Sequence, residues 1–383
     1  IATQDAALGL TREAAAARLG IGAVLFKVAG SDEVRRVLEE ALAGCIRAGD
    51  RRGELAARTL LAMVAGKQGQ LTEAIRSADA ILADARRIGD RWIEGFVLSQ
   101  RLSLYNWADD AAATDATIEP TLAALRESGN RQVLMATLTN LAIVTIEALD
   151  LEKAEAYIVE AEGLARRVGS QLASASIDRA RGYLEQTQGD FGLARKSYTS
   201  ALEKARRAQV PGTIAIYLSD LAWLELADEQ PGPAAERAHE AIAAFTAAGD
   251  KRTAAATEAV LAWADAKQGH AAAARRRLAV LRQAASDDGS DTARFEFLTI
   301  EAQVAAASGD WPRVIELRRQ TVRMATEWKA QGLVIQQQLL LAEALRGAGD
   351  RRGLEKLVAA MLPEVERNGL RGVAHELRGL LAR

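Results

Sequence analysis

The sequence predicts an all-α fold, an α-solenoid of about nine helix hairpins followed by a terminal helix. Three observations predict it. Turn residues recur every forty positions in two interleaved series, and a column of small residues keeps the same period. Within each element the apolar residues fall at offsets of three, four and seven, which share one face of a helix and would scatter across a strand. Two antiparallel helices cannot bury an apolar stripe alone, so each hairpin requires neighbours.

The first series of breaks is Gly69, Asp109, Leu149, Gly189, Glu229, Gly269, Gly309 and Gly349. The second falls midway, at Gly49, Gly89, Gly129, Gly169, Gln209, Gly249, Gly289, Lys329 and Gly369. Together they cut the chain into elements of about 16 residues, each roughly 24 Å of helix. On the first helix of each hairpin Gly22, Ala62, Ala142, Gly182, Ala222, Ala262, Ala302, Ala342 and Ala382 form the small column, with Leu102 the exception. Ala74, Ala154, Ala194, Ala234 and Ala274 form its counterpart on the second helix. Helix axes approach closely only where side chains are small. The repeats are therefore 11–50, 51–90, 91–130, 131–170, 171–210, 211–250, 251–290, 291–330 and 331–370, with a terminal helix at 371–383. All 383 residues read as a single repeat domain.

The helix ends have their own chemistry. Asp50, Asp90, Asn130, Ser170, Asp250 and Ser290 follow a break and are placed to cap the next amino terminus. Arg86-Arg87, Arg166-Arg167 and Arg206-Arg207 lie in last turns, where cations favour the helix dipole; they read as structural rather than as a nucleic-acid ladder. Pro120 is expected to kink or shorten its helix, and Pro363 to bend the last full repeat. Pro312 suits a first helical turn. The polar stretch 286–291 reads as the most mobile loop. Cys45 occupies a core position taken by alanine, leucine or phenylalanine in other repeats.

Composition agrees with helical packing: 49% of residues are apolar, 26% charged and only 4% aromatic, so the core is built from Ala, Leu, Ile and Val. A formal charge of −2 argues against a general nucleic-acid-binding surface. No apolar stretch suits a bilayer, which points to a soluble cytoplasmic protein. The chain begins at Ile1 rather than Met, so a fragment of something longer is expected, and its Ala, Arg and Gly content fits a bacterial source.

The hairpins resemble tetratricopeptide repeats. Gly182, Gly189, Ala194, Tyr198 and Ala201 match that family's pattern, while Arg181 stands where a leucine is usual; Leu141, Ala142, Ala154, Ile158 and Ala161 match it again, with Leu149 replacing the turn glycine. Forty-residue versions are similar to those of kinesin light chains, Pins-type adaptors and maltose-activator-like bacterial regulators. The resemblance covers essentially the whole chain and implies a right-handed solenoid that serves many kinds of partner.

No catalytic constellation emerges. His239, His270 and His375 lie in different repeats, no metal-ligand spacing surrounds them, and no phosphate-binding loop is present. No enzyme, cofactor or metal role is expected. The concave wall is more informative, because one first-helix phase reads Tyr183, Trp223 and Trp263 in consecutive repeats. Projecting aromatics anchor a peptide or apolar ligand; the competing reading is that they fill space between helices. Arg179, Gln186 and Lys267 occupy neighbouring phases and would favour an acidic or carboxylate-bearing protein or peptide. The expected function is protein or peptide recognition by the concave surface. The alternatives are a regulatory or effector-sensing arm of a larger bacterial signalling or transcription protein, and a structural self-association module.

Overall fold

The computed structural model describes residues 2–28, 31–108, 110–328, 330–367 and 371–382, which form nineteen helices and no strand. The first nine are α1 Ala2–Val28, α2 Ser31–Arg47, α3 Arg51–Lys67, α4 Leu71–Arg87, α5 Arg91–Trp107, α6 Ala111–Ser128, α7 Arg131–Glu147, α8 Leu151–Val168 and α9 Gln171–Gln188. Next come α10 Phe191–Ala208, α11 Pro211–Ala227, α12 Pro231–Ala247, α13 Lys251–Lys267 and α14 Ala271–Asp288. The last are α15 Asp291–Ala307, α16 Trp311–Glu327, α17 Gln331–Gly347, α18 Arg351–Arg367 and α19 Arg371–Ala382. Odd-numbered helices are the first and even-numbered ones the second of each hairpin, with α19 following the last.

One turn explains the twenty-residue comb. Every break on the described residues carries a left-handed backbone, at eleven glycines from Gly49 to Gly349 and at Leu149, Gln209 and Glu229 where glycine is missing. At most of these turns the N–H of that residue bonds back to the carbonyl three before it, and the next N–H to the carbonyl five before it: Gly49 to Ile46 and Asp50 to Cys45, Gly309 to Ala306 and Asp310 to Ala305. The residue after the turn then caps the next helix. Asp50, Asp90, Asn130, Ser170, Asp250 and Ser290 all accept a backbone N–H from the first turn that follows. Helix stop, turn and helix start thus occupy three residues. The breaks read at Asp109, Lys329 and Gly369 lie outside the described residues.

The chain packs as two compact units, Ile1–Leu138 with Gly163–Val168, and Thr139–Glu162 with Gly169–Arg383. Unit 1 buries Leu55 of α3, Ile81 and Leu82 of α4, and Ile93, Val97 and Leu98 of α5 in one cluster, with Cys45 also inside. Burial pushes the Cys45 thiol above its usual range. Unit 2 carries apolar clusters between successive hairpins, one centred on Tyr198, Leu202, Leu218 and Leu221, another on Ala222, Leu226, Val260 and Leu261. The small columns are buried in both units: Ala62, Ala142, Ala222, Ala262, Ala302 and Ala342, and likewise Ala74, Ala154, Ala194, Ala234 and Ala274. A β-carbon on Gly182 would come within 2.9 Å of the Tyr198 ring. Leu381 and Ala382 keep the register but are exposed.

Two expectations change. Pro120 does not shorten its helix: α6 runs its full 18 residues, held by buried Ile118, Leu122 and Leu125, with the Thr117 and Thr121 hydroxyls bonded to carbonyls of the preceding turn. Pro363 lies inside α18, which runs from Arg351 to Arg367. The stretch 286–291 is not a free loop, since α14 continues to Asp288 and Ser290 caps α15.

Unit 2 also joins distant repeats. Gly332, at the start of α17, sits against the turn after α7; a β-carbon there would be 3.1 Å from the Glu147 carbonyl oxygen and 3.5 Å from Ala148 Cα. Leu149, in that same turn, packs on the cluster of Ile335, Leu341, Leu354, Val358 and Met361.

Candidate functional site

Within unit 2 the first helices α9, α11 and α13 hold the six residues singled out from the sequence, and these fall into two groups. In the first, Arg179 grips Asp220 of α11 through both ends of the guanidinium, Nε to Oδ2 at 2.6 Å and Nη2 to Oδ1 at 3.2 Å. Burial disfavours the charge of Arg179, and Asp220 outweighs it, so the guanidinium stays fully protonated. Tyr183 is half-buried on the Tyr198 and Leu218 cluster, and burial, aided by the Glu147 charge, pushes its hydroxyl up to about 12. Tyr198 and Tyr217 are also raised by burial. These phenols remain donors at neutral pH. That of Tyr198 donates to Oε1 of Gln186 at 3.1 Å, and that of Tyr217 lies 3.4 Å from the Ser176 hydroxyl.

The second group is aromatic. The rings of Trp223 and Trp263 stand 6.1 Å apart at 47°, and Lys267 Nζ lies 5.6 Å from the Trp263 centroid. Both indoles are half-buried, seated on Ala222, Leu226, Val260 and Leu261. Each ring therefore fills inter-helix space with one side and offers the other. Lys267 is paired with Glu229.

Both cations expected to face an acidic ligand thus already have carboxylate partners. Asp220, a carboxylate about one repeat beyond Arg179, is not marked out by periodicity. Neither are the open grooves flanking α14. A cavity of about 620 Å³ lies between Ile242, Ala254, Glu258, Arg276 and Val280, and one of about 490 Å³ between Ala274, Arg275, Leu278, Val304 and Arg313. Only Ala274 of α14 is buried among its described residues, which is why the helix leaves space on both sides.

Arg181 explains its own departure from the repeat pattern. It bridges Glu155 and Glu162 of α8, replacing a leucine's apolar contact with an ion-pair network. Among the described residues no group of three or more His, Cys, Asp or Glu side chains is disposed to hold a metal ion, and no helix is long and apolar enough to cross a membrane.

The architecture defines a fold class, an all-α array of stacked helix hairpins. No family model and no curated protein matches the chain. Solved structures do. A Rap protein complexed with competence and sporulation factor superimposes on 96% of this chain and 99% of its own length, with a TM-score of 0.67 at 13% identity. The apo form of RapI covers 88% of this chain and 98% of its own, with a TM-score of 0.53 at 11% identity. At such identities the likeness is one of fold.

Proposed function

We propose that this chain is a noncovalent recognition scaffold for a protein or peptide, engaged through the concave face of first helices α9, α11 and α13. The observation that carries the reading is the Trp223–Trp263 pair, two large aromatics in successive repeats that meet at a tilt and stay half-buried. Large rigid rings of this kind contribute contact area at little entropic cost and dominate binding faces. Arg179, Tyr183 and Gln186 supply hydrogen-bonding groups on the preceding helix, suited to the polar backbone of a bound segment. An acidic partner would meet Arg179 and Lys267 only by competing with Asp220 and Glu229. The scaffold acts in the cytoplasm, without catalysis.

The likeness to a Rap protein complexed with competence and sporulation factor favours one refinement, an effector-sensing arm within a bacterial signalling protein. Affinity capture with immobilised full-length chain tests the main reading. Wild type and a V280A control, altered on the exposed side of α14, should retain the same partner, and W223A/W263A should lose it with helical content unchanged. Truncating two such anchors costs about 2 kcal/mol or more, roughly thirtyfold in affinity. Retention of the same partner by the double variant would contradict the reading.

A further inference from the structure

Arg318 of α16 is 4% exposed, and among the described residues its guanidinium makes one hydrogen bond, Nη1 to Oε1 of Gln337 at 3.2 Å. That oxygen also accepts from the Thr321 hydroxyl at 2.9 Å, and Gln337 itself is 3% exposed. A guanidinium carries five N–H donors and its charge is costly to bury unless a counter-charge meets it. The one carboxylate whose charge reaches Arg318 among the described residues is Glu343 of α17, which forms no ion pair with it. Desolvation accordingly lowers the guanidinium to about 10.

Repeat register relates this arginine to the earlier polar group. Arg179, Tyr183, Tyr198 and Tyr217 form the polar group described above; three repeats further along, the same positions are Thr299, Gln303, Arg318 and Gln337. Asp220, which neutralises the cation in the earlier group, becomes Leu340 in the later one. Thr299 Oγ1 and Gln303 Oε1 are buried atoms with no hydrogen-bond partner. Such atoms are rare in folded proteins, and each requires a cause. Here two of them share one register with an arginine that lacks its carboxylate.

We propose that Arg318, Gln337, Thr299 and Gln303, at the junction of α15, α16 and α17, form a binding subsite for a carboxylate-bearing ligand. The guanidinium supplies paired donors to the carboxylate and the Thr299 hydroxyl a further one. The carboxamides of Gln303 and Gln337 serve polar atoms beside it. Gln303 and Glu343 lie half-buried on the first-helix phase, so the subsite faces the same side of unit 2 as the aromatic pair. The inference stands on these side chains alone and not on partner recognition by Trp223 and Trp263. Glu343 is the internal rival for Arg318, and the experiment separates the two.

Thermal unfolding of the full chain in sodium acetate and in sodium chloride at matched ionic strength provides the test, for wild type, R318M and T299V. Acetate should raise the wild-type Tm above its value in chloride. R318M should lose that response while melting about 2 °C or more above wild type in chloride, because an apolar side chain of similar length replaces an uncompensated charge. T299V, which leaves Arg318 in place, should need about threefold more acetate for the same rise. An equal acetate response in wild type and R318M overturns the proposal. So does a Tm of R318M below wild type in chloride, which would make Arg318 a structural group balanced by Glu343. If R318M does not fold, T299V decides, and an unchanged acetate response then counts against the subsite.

Discussion

Gly332 gives way to the carbonyl oxygen of Glu147, which stands 3.1 Å from where its β-carbon would be, though five repeats separate the two in the chain. The contact ties the first helix of the ninth hairpin to the turn of the fourth, and Leu149 in that turn adds an apolar side chain to it. Alanine at 332 would press on the carbonyl and valine would displace it. G332V should therefore destabilise unit 2 by about 1–3 kcal/mol, read as a lower urea midpoint, with G332A between it and wild type.

Leu149 carries a φ of 61°, costly for a side chain with a β-carbon. Gln209 and Glu229 share the conformation without packing on that cluster, so Q209G should stabilise by about 0.5 kcal/mol, strain relief exceeding the added chain entropy, and E229G by less because it also removes the ion pair with Lys267. L149G should instead be neutral or destabilising, because it removes the contact with Ile335 and its neighbours. A gain from L149G equal to that of Q209G in chemical denaturation would show that Leu149 contributes no packing.

Gly182 and Tyr198 illustrate how much could be read beforehand. The small column, the left-handed breaks and the six caps are local consequences of residue type, so spacing alone located them. G182A tests the column: its β-carbon would displace the Tyr198 ring and its hydrogen bond to Gln186, at about 1–3 kcal/mol. The candidate site was less legible. Periodicity gives the face on which Arg179 or Lys267 lies, but not whether Asp220 or Glu229 has already claimed its charge. Pro120 misleads for a related reason, since tertiary burial of Ile118 and Leu122 outweighs the one backbone bond it removes.

Two carboxylates should respond to pH with opposite signs. Burial, reinforced by Glu376, pushes Glu343 above its ordinary value, against the pull of Arg346 and Arg318. The folded state then holds that proton more tightly, so the contribution is complete below the unfolded value of about 4.3 and lost as pH rises through the raised one. E343Q should melt above wild type at pH 8 and match it near pH 3.5. Glu94 is the reverse, because Arg86 and Arg91 overcome its burial and lower it. Its contribution is present at neutral pH and lost on acidification, and E94Q should melt below wild type at pH 7 with the gap closing in acid.

The most direct measurement is hydrogen–deuterium exchange on the full chain, with and without the partner recovered by affinity capture. Protection should concentrate in α9, α11 and α13, around Tyr183, Trp223 and Trp263. Protection confined to the even-numbered helices, with those three unchanged, would contradict recognition by this face.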